Sequence, residues 1–227
     1  MKNFIALRSL LAESFKQELD EYSNEPKRAK LNLSQIGLDP KNGVNNILAV
    51  YNQATPEEKD YWGRWYHHAH SDVQELAKKY NIDFQVAAGV AAVLSPGCTW
   101  KVNLMGAERT IEGAEDGAIP CYNANIAKAR EILAGADPVS KVTGPKVSVF
   151  LQSLLNPSAV DKEMVLDGHA INIWRGTKRA LQGLPTPRTE ERRQMIADYG
   201  EAAKQLGVST QSVQAVTWYI FKYAYNG

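Results

Sequence analysis

Apolar residues recur with a helical period along most of the chain, so the pattern predicts helices joined by short turns. The clearest helix start is Thr55-Pro56-Glu57-Glu58, a capping box with proline at the first helical position. The helix that begins there is expected to continue to about Tyr80, before Asn81. The final part of the chain predicts two more helices, TEERRQMIADYGEAAKQLG and STQSVQAVTWYIFKYAY.

Glycine and proline mark the ends of the remaining predicted helices. DFQVAAGVAAVLS ends near Pro96-Gly97, and NANIAKAREILAG is closed by Gly135. KVSVFLQSLL follows Pro145 and is stopped by Asn156-Pro157. The last of them, GHAINIWRGTKRALQG, is opened by Asp167 and closed by Gly183.

No run alternates strictly enough to predict a sheet, and VTGPKVSVF is the only strand-like competitor. The chain is therefore predicted to be all-α. We expect residues 1–50 to form an N-terminal helix followed by a connecting segment rich in Pro, Asn, Gly and Lys. Residues 51–227 are expected to form the main helical domain.

Composition excludes several classes of protein. The chain has 227 residues, of which 44% are hydrophobic and 22% charged, as in ordinary globular proteins. No apolar run approaches the roughly 18 residues of a membrane span, and the opening lacks a signal peptide's uncharged core. We therefore expect a cytoplasmic protein with no membrane partner. The net charge of +1 means that any nucleic-acid contact must come from locally concentrated basic residues.

Cysteine and histidine usage predicts neither a cofactor nor a metal. The two cysteines, Cys98 and Cys121, cannot supply the four thiolates of an iron–sulfur cluster or an all-cysteine zinc site, and we expect both to be thiols. In WYHHAH, His67 and His70 are three positions apart and could bridge one metal. No companion ligand has convincing spacing, so packing is favoured.

Lys146 and Asp167 each combine a reactive side chain with a helix start. Lys146 follows the Gly144-Pro145 turn, where free backbone N–H groups and the helix dipole suit a phosphate oxygen. Positive partial charge nearby favours a neutral, nucleophilic amine, although a solvated lysine is the ordinary alternative. Asp167 follows three apolar residues and is expected to be a helix N-cap. The long loop NPSAVDKEMVL could bring both helix starts to one cleft wall.

The stretch TGPKVSVFLQSLL…VLDGHA resembles the helix-hairpin-helix DNA glycosylase superfamily. Its members carry a glycine-rich hairpin, in many cases a lysine, and one helix and a loop later an aspartate in a Val-Asp-x-His context. AAGVAAVLSPGCTWKVNLMGA resembles the early helix and turn of the same superfamily. Together the two matches cover roughly residues 85–180. The chain departs from the pattern at Val142, in place of the hairpin's first glycine, and at Gly97, in place of a frequent glutamine.

The resemblance implies an all-α, two-lobed fold with a DNA-binding cleft between the lobes and a middle lobe over about residues 81–165. It also implies a flipped-out nucleotide whose N-glycosidic bond is cleaved. Carried over by position, Lys146 would be the Schiff-base nucleophile and Asp167 the essential carboxylate. The backbone of Val142, Thr143 and Gly144 would form the phosphate-binding hairpin.

DNA contact requires local positive charge. If GHAINIWRGTKRALQG is one helix, Arg175, Lys178 and Arg179 fall on one face, and Lys141 flanks the hairpin. A solvated helix face is the ordinary alternative for such a triplet. The expected partner is double-stranded DNA, bound by a monomer.

Aromatic side chains commonly stack on a flipped base, and Trp100, just after a loop, is the best pocket candidate. Tyr66 and His70, four positions apart, could line the cleft beside Asp72, and His169 is a further candidate. For each of these residues, plain packing is the alternative.

The function predicted from the sequence is excision of a damaged or modified base by a DNA glycosylase, either alone or with lysine-dependent lyase activity. Repair and defence against viral DNA that carries modified bases are both compatible with this chemistry. Two alternatives remain open: a non-catalytic helix-hairpin-helix DNA-binding protein, and an all-α protein–protein adaptor.

Overall fold

The computed structural model describes residues 36–158 and 163–225, with side chains as far as Lys222. Within these ranges all regular structure is helical, as predicted. The helices are α1 Gly43–Tyr51, α2 Pro56–Gly63, α3 Trp65–Tyr80, α4 Phe84–Leu94, α5 Trp100–Ile111, α6 Asn123–Leu133, α7 Pro138–Lys141, α8 Pro145–Leu155, α9 Gly168–Trp174, α10 Thr189–Leu206 and α11 Thr210–Tyr225, with a 3₁₀ turn at Asp116–Ala118. The predicted N-terminal helix lies outside the described residues.

The helix predicted from Thr55 to Tyr80 is two helices, so that prediction is wrong. The capping box at Thr55 is present, but the chain turns at Arg64, between α2 and α3. α2 packs against α11, where the ring of Trp62 stacks on Tyr219 with centroids 4.2 Å apart. α3 packs mainly on α4 and α8. Because α2 and α3 pack against different helices, their axes must point in different directions, which one straight helix cannot provide.

The helix opened by Asp167 ends at Trp174 rather than at Gly183, which corrects a second prediction. Gly176 adopts φ +60°, and a Cβ there would lie 2.9 Å from the carbonyl carbon of Asp39. The chain then folds back, and the Asn172 carboxamide donates to the carbonyl of Arg179 and accepts from its N–H. Arg175, Lys178 and Arg179 therefore do not share a helical face.

Helices α1, α5 and α7 were not predicted from the pattern. α1 lies at the end of the predicted connecting segment, where its Ile47 and Val50 are completely buried. α5 is capped by Thr99, whose hydroxyl accepts the N–H of Val102. The predicted connecting segment therefore ends in a helix, α1, that contributes to the core.

The buried residues form two clusters. The first, here called the alanine-rich cluster, is centred on α4, which contacts α3, α5, α6, α7 and α8. Its small side chains permit close approach: a Cβ on Gly89 of α4 would lie 2.5 Å from Cβ of Pro138, the first residue of α7. The start of the α7–α8 hairpin is thus seated directly on the core.

The second cluster, here called the aromatic cluster, joins α1, α2, α9, α10 and α11. Its large buried side chains include Trp62, Tyr199, Tyr219 and Phe221. Trp65, at the start of α3, packs against both clusters. No helix in the described ranges is long and apolar enough to cross a membrane.

Candidate functional site

A cavity of about 310 Å³ lies where the two clusters meet. Its lining comes from the starts of α3, α5 and α8, from α11, and from the turn and segment that precede α5 and α9. The lining residues are Trp65, Tyr66, Ser95, Pro96, Cys98, Thr99, Trp100, Asn103, Lys146, Val147, Phe150, Val165, Asp167, Gln214, Ala215 and Trp218. Lys146 and Asp167, singled out from the sequence, therefore line the same cavity.

Lys146 reaches the cavity from the first turn of α8. Gly144 precedes this turn with φ +92°, a left-handed conformation that favours glycine, and Pro145 occupies the first helical position. No side chain caps this helix start. Lys146 is exposed and makes no ion pair with any residue in the described part of the chain. Its ammonium is thus available to a molecule in the cavity.

Asp167 is the N-cap of α9, as predicted. Its Oδ1 accepts the N–H of Ala170 at 2.9 Å, and the residue is half-buried. One carboxylate therefore both starts a helix and lines the cavity. The cap hydrogen bond fixes the orientation of the carboxylate.

Tyr66 lines the cavity as a neutral phenol. Burial, and secondarily the negative charge of Asp167, raise the pKa of Tyr66 well above its ordinary value. Its hydroxyl donates to Oε1 of Gln214 at 2.8 Å. The pair joins α3 to α11 across one wall of the cavity.

Aromatic rings form the other walls. The Trp100 indole N–H donates to Oδ2 of Asp72 at 2.7 Å, which fixes the ring plane. Trp100 meets the rings of Trp65 and Phe150 edge-on, with centroids 5.6 and 6.0 Å away, and Trp65 stacks on Phe150 at 6.2 Å. These contacts fix the three rings relative to one another.

His70 and His169, both pocket candidates from the sequence, lie outside the lining. The Nδ1 of His70 is 2.6 Å from the carbonyl oxygen of Leu154, so this nitrogen carries the proton and donates. His169 packs edge-on against Trp218 and Phe221. Burial lowers the pKa of His169, and this outweighs the opposing effect of Asp167.

The hairpin residues lie at the α7–α8 turn. Val142 is buried in the alanine-rich cluster, while Thr143 and Gly144 are exposed. Lys128 of α6 donates to the Thr143 hydroxyl at 3.0 Å. Val142, at the position where helix-hairpin-helix glycosylases carry the first glycine of the hairpin, therefore anchors the turn from inside.

The basic residues proposed to contact DNA have different surroundings. Lys141 forms an ion pair with Glu131. The half-buried Arg175 forms one with Glu191 at 2.8 Å and also donates to the carbonyl of Pro185. Lys178 and Arg179 are exposed in the irregular segment after α9. Arg175 is thus committed to contacts within the protein, which link the end of α9 to α10 and to the segment before it.

Comparison with known protein families places the chain in one of them. A family model described as "Family of unknown function (DUF7178)" matches residues 30–224. The chain belongs to this family. No curated protein and no solved structure matches the chain. The family match spans the whole cavity lining, so the cavity lies inside the family's domain.

Asn103, Gln214 and Trp218 are among the lining residues that were not predicted as site residues from the sequence. Asn103 is completely buried and donates to the carbonyl of Ala91, whereas its Oδ1 has no hydrogen-bond partner among the described residues. Gln214 and Trp218 are four positions apart on α11, a spacing that places them on one face. No local signal shows which face of α11 meets the cavity.

Proposed function

We propose that the protein is a DNA glycosylase that excises a damaged or modified base from a flipped nucleotide. One observation carries the proposal: Lys146 and Asp167, from the starts of two different helices, line one aromatic-walled cavity. Binding alone would require neither an unpaired ammonium nor a carboxylate at this place. The resemblance to helix-hairpin-helix glycosylases assigns these two positions to chemistry.

The size and the walls of the cavity suit a nucleobase. Its volume of about 310 Å³ is at the lower end of the range for small-molecule sites. Trp65, Trp100 and Trp218 offer flat faces, and flipped bases are commonly held by stacking. Gln214 adds a polar group that could contribute to base recognition.

The proposed chemistry begins as the base–sugar bond lengthens and positive charge develops on the sugar. The Asp167 carboxylate stabilises that charge and accepts a proton from the nucleophile. If water attacks, the base leaves with the bonding electron pair and an abasic site remains. If the Lys146 amine attacks the anomeric carbon, the base leaves with the bonding electron pair and Asp167 accepts the amine proton. The sugar ring then opens at the bond between the anomeric carbon and the ring oxygen, which leaves a covalent imine, and strand cleavage can follow.

The α7–α8 hairpin is the proposed contact to the DNA backbone. The first-turn N–H groups of α8 have no side-chain cap, and such groups bind phosphate oxygens well. Lys128 and Lys141 place positive charge on either side of the turn, although Lys141 also pairs with Glu131. We infer a monomer that binds double-stranded DNA in the cytoplasm, in base-excision repair or in defence against modified viral DNA.

The decisive test measures base release from a panel of DNAs, including heavily modified viral genomes, by the mass of the freed base. Asp167→Asn is expected to lower release about 10²–10⁴-fold, since the proton acceptor is lost. The matched control is Asp83→Asn. Asp83 is the N-cap of α4 and lies outside the cavity, and asparagine caps helices as well as aspartate does. Equal activity of the two variants would overturn the role of Asp167.

The lyase step is tested with Lys146→Ala and borohydride reduction. The wild-type protein is expected to form a covalent adduct with substrate DNA, and Lys146→Ala is expected to form none. The control is Lys78→Ala, a substitution of an exposed lysine at the end of α3. This variant should form the same trapped adduct as the wild type. Base release without any trapped wild-type adduct would restrict the activity to the water-dependent route.

The same panel separates the enzyme from the alternatives. Salt-sensitive binding of duplex DNA with no freed base from any substrate would indicate a non-catalytic helix-hairpin-helix DNA-binding protein. Absence of both binding and release would favour the protein–protein adaptor.

A further inference from the structure

We propose that Cys98 and Cys121 form a redox-active dithiol at the rim of the cavity, which peroxide converts to a disulfide. The two side chains are 23 positions apart in sequence, yet their sulfur atoms are 3.6 Å apart. Both cysteines are reduced and half-buried. This chemistry does not depend on the proposed glycosylase activity.

The two segments that carry these cysteines are already in contact. A Cβ on Gly106 of α5 would lie 2.6 Å from the Cys121 sulfur, so that residue is packed on the helix that follows Cys98. The Cys98 thiol lies 3.7 Å from the carbonyl of Pro120. A disulfide bond is about 2.0 Å long, so the sulfurs, now 3.6 Å apart, need to approach by only about 1.6 Å.

The surroundings assign different roles to the two sulfurs. Cys98 lines the cavity, which gives a small oxidant a route to it, whereas Cys121 is absent from the lining. The hydrogen bond between them lowers the pKa of Cys98 and raises the pKa of Cys121. The first thiolate therefore forms on Cys98, and the thiolate is the reactive form of cysteine.

The reaction proceeds in two balanced steps. The Cys98 thiolate attacks one oxygen of hydrogen peroxide, the O–O bond breaks, and a sulfenic acid and hydroxide form. The Cys121 sulfur then attacks the sulfenic sulfur, and water leaves as the disulfide forms. Overall, two thiols and one peroxide give one disulfide and two water molecules. Such reversible disulfides are typical of redox-sensing proteins in reducing compartments.

The disulfide would act on the cavity through the turn that contains Cys98. Ser95, Pro96 and Thr99 of this turn also line the cavity, and Thr99 caps the helix that carries Trp100. Tying Cys98 to Cys121 fixes the turn against the segment before α6. The modification thus couples peroxide to the geometry of the cavity rim.

The test treats the reduced full-length protein with hydrogen peroxide and analyses unreduced peptides by mass spectrometry. We expect an intramolecular cross-link between the Cys98 and Cys121 peptides, the loss of two hydrogen atoms from the intact mass, and full reversal by dithiothreitol. The oxidised protein should also have a higher Tm, because the bond closes a loop. Thiols that persist at a peroxide dose that oxidises glutathione, or disulfide-linked dimers in place of the internal bond, would overturn the proposal.

Two variants test the assignment of roles. Cys121→Ser should stop the reaction at a Cys98 sulfenic acid, which dimedone captures. Cys98→Ser should react more slowly with peroxide than Cys121→Ser, since the remaining thiol, Cys121, does not line the cavity through which the oxidant reaches Cys98. Faster oxidation of the Cys98→Ser protein would contradict the order of attack.

Discussion

The alanine-rich and aromatic clusters build their cores in opposite ways. α4 contributes Ala87, Ala88, Ala91 and Ala92 to the first cluster, and these small side chains let five helices approach one central helix. In the second cluster, α11 contributes large rings, of which Tyr219 stacks on Trp62 of α2, and the ring of Tyr199 on α10 is buried in the same cluster. The first core is thus shaped mainly by the backbone, and the second by side chains.

The contrast bears on the cavity because both clusters contribute to its walls. Lys146 comes from α8, which packs on the small residues of α4, so its position depends on close helix contact. Trp218 belongs to α11, where its ring packs on His169 and lies near Trp62. We therefore expect the two walls to respond to opposite kinds of substitution, enlargement on one side and truncation on the other.

The largest effect is expected from truncation in the aromatic cluster. Phe221 is completely buried, so Phe221→Ala should lower the free energy of unfolding by about 3–5 kcal/mol through lost burial and a cavity. Urea unfolding followed by circular dichroism measures the change. The control is Val139→Ala on the exposed surface of α7, expected to stay within about 0.5 kcal/mol of the wild type. A Phe221→Ala loss as small as that of the control would mean that rings do not hold this cluster together.

Enlargement in the alanine-rich cluster should have the next largest effect. Ala91 is completely buried on α4, and Ala91→Leu should cost about 1–3 kcal/mol because the neighbouring helices must separate. Ala127→Leu on the exposed face of α6 is the matched control and should cost less than about 0.5 kcal/mol. Both variants are compared by urea unfolding. If Ala91→Leu matches its control, close backbone approach is not what shapes this core.

The smallest effect concerns pH and belongs to the aromatic cluster. Burial lowers the pKa of His169 below its unfolded value of 6.5. Below about pH 6.5 the unfolded chain therefore binds more protons at this residue, so stability falls as the pH drops toward the folded pKa. Between about pH 7.5 and about pH 5.5, the free energy of unfolding should therefore decrease less for His169→Phe than for the wild type. His68→Gln, on an exposed histidine, should follow the wild type.

The helix ends that are marked by local residues were predicted from the sequence. Asn81 at the end of α3 and Gly207 at the end of α10 both adopt the left-handed conformation that closes a helix. The break at Arg64 and the early end of α9 went unpredicted because distant segments impose them. Gly63 lies against Ser212, and Gly176 lies against Asp39. Such contacts leave no trace in the hydrophobic period of either segment.

The residues of the site were likewise predictable only in part. Lys146 and Asp167 were recognisable by turn, cap and resemblance, and Trp100 by its place after a loop. Gln214 and Trp218 reach the cavity only because α11 lies across both clusters, which no spacing in the sequence encodes. His70 has the helical spacing of a cleft residue, but it is held by the carbonyl of Leu154 instead.

The contact between Gly89 and Pro138 has a consequence for recognition. Since α7 is seated directly on the central helix, the turn that follows it takes its shape during folding, before any partner arrives. The conformational entropy of this turn is lost once, within the free protein, so association need not order it again. A ligand that binds residues 142–144 would thus meet a turn whose conformation is already set, rather than a loop that must become ordered on binding.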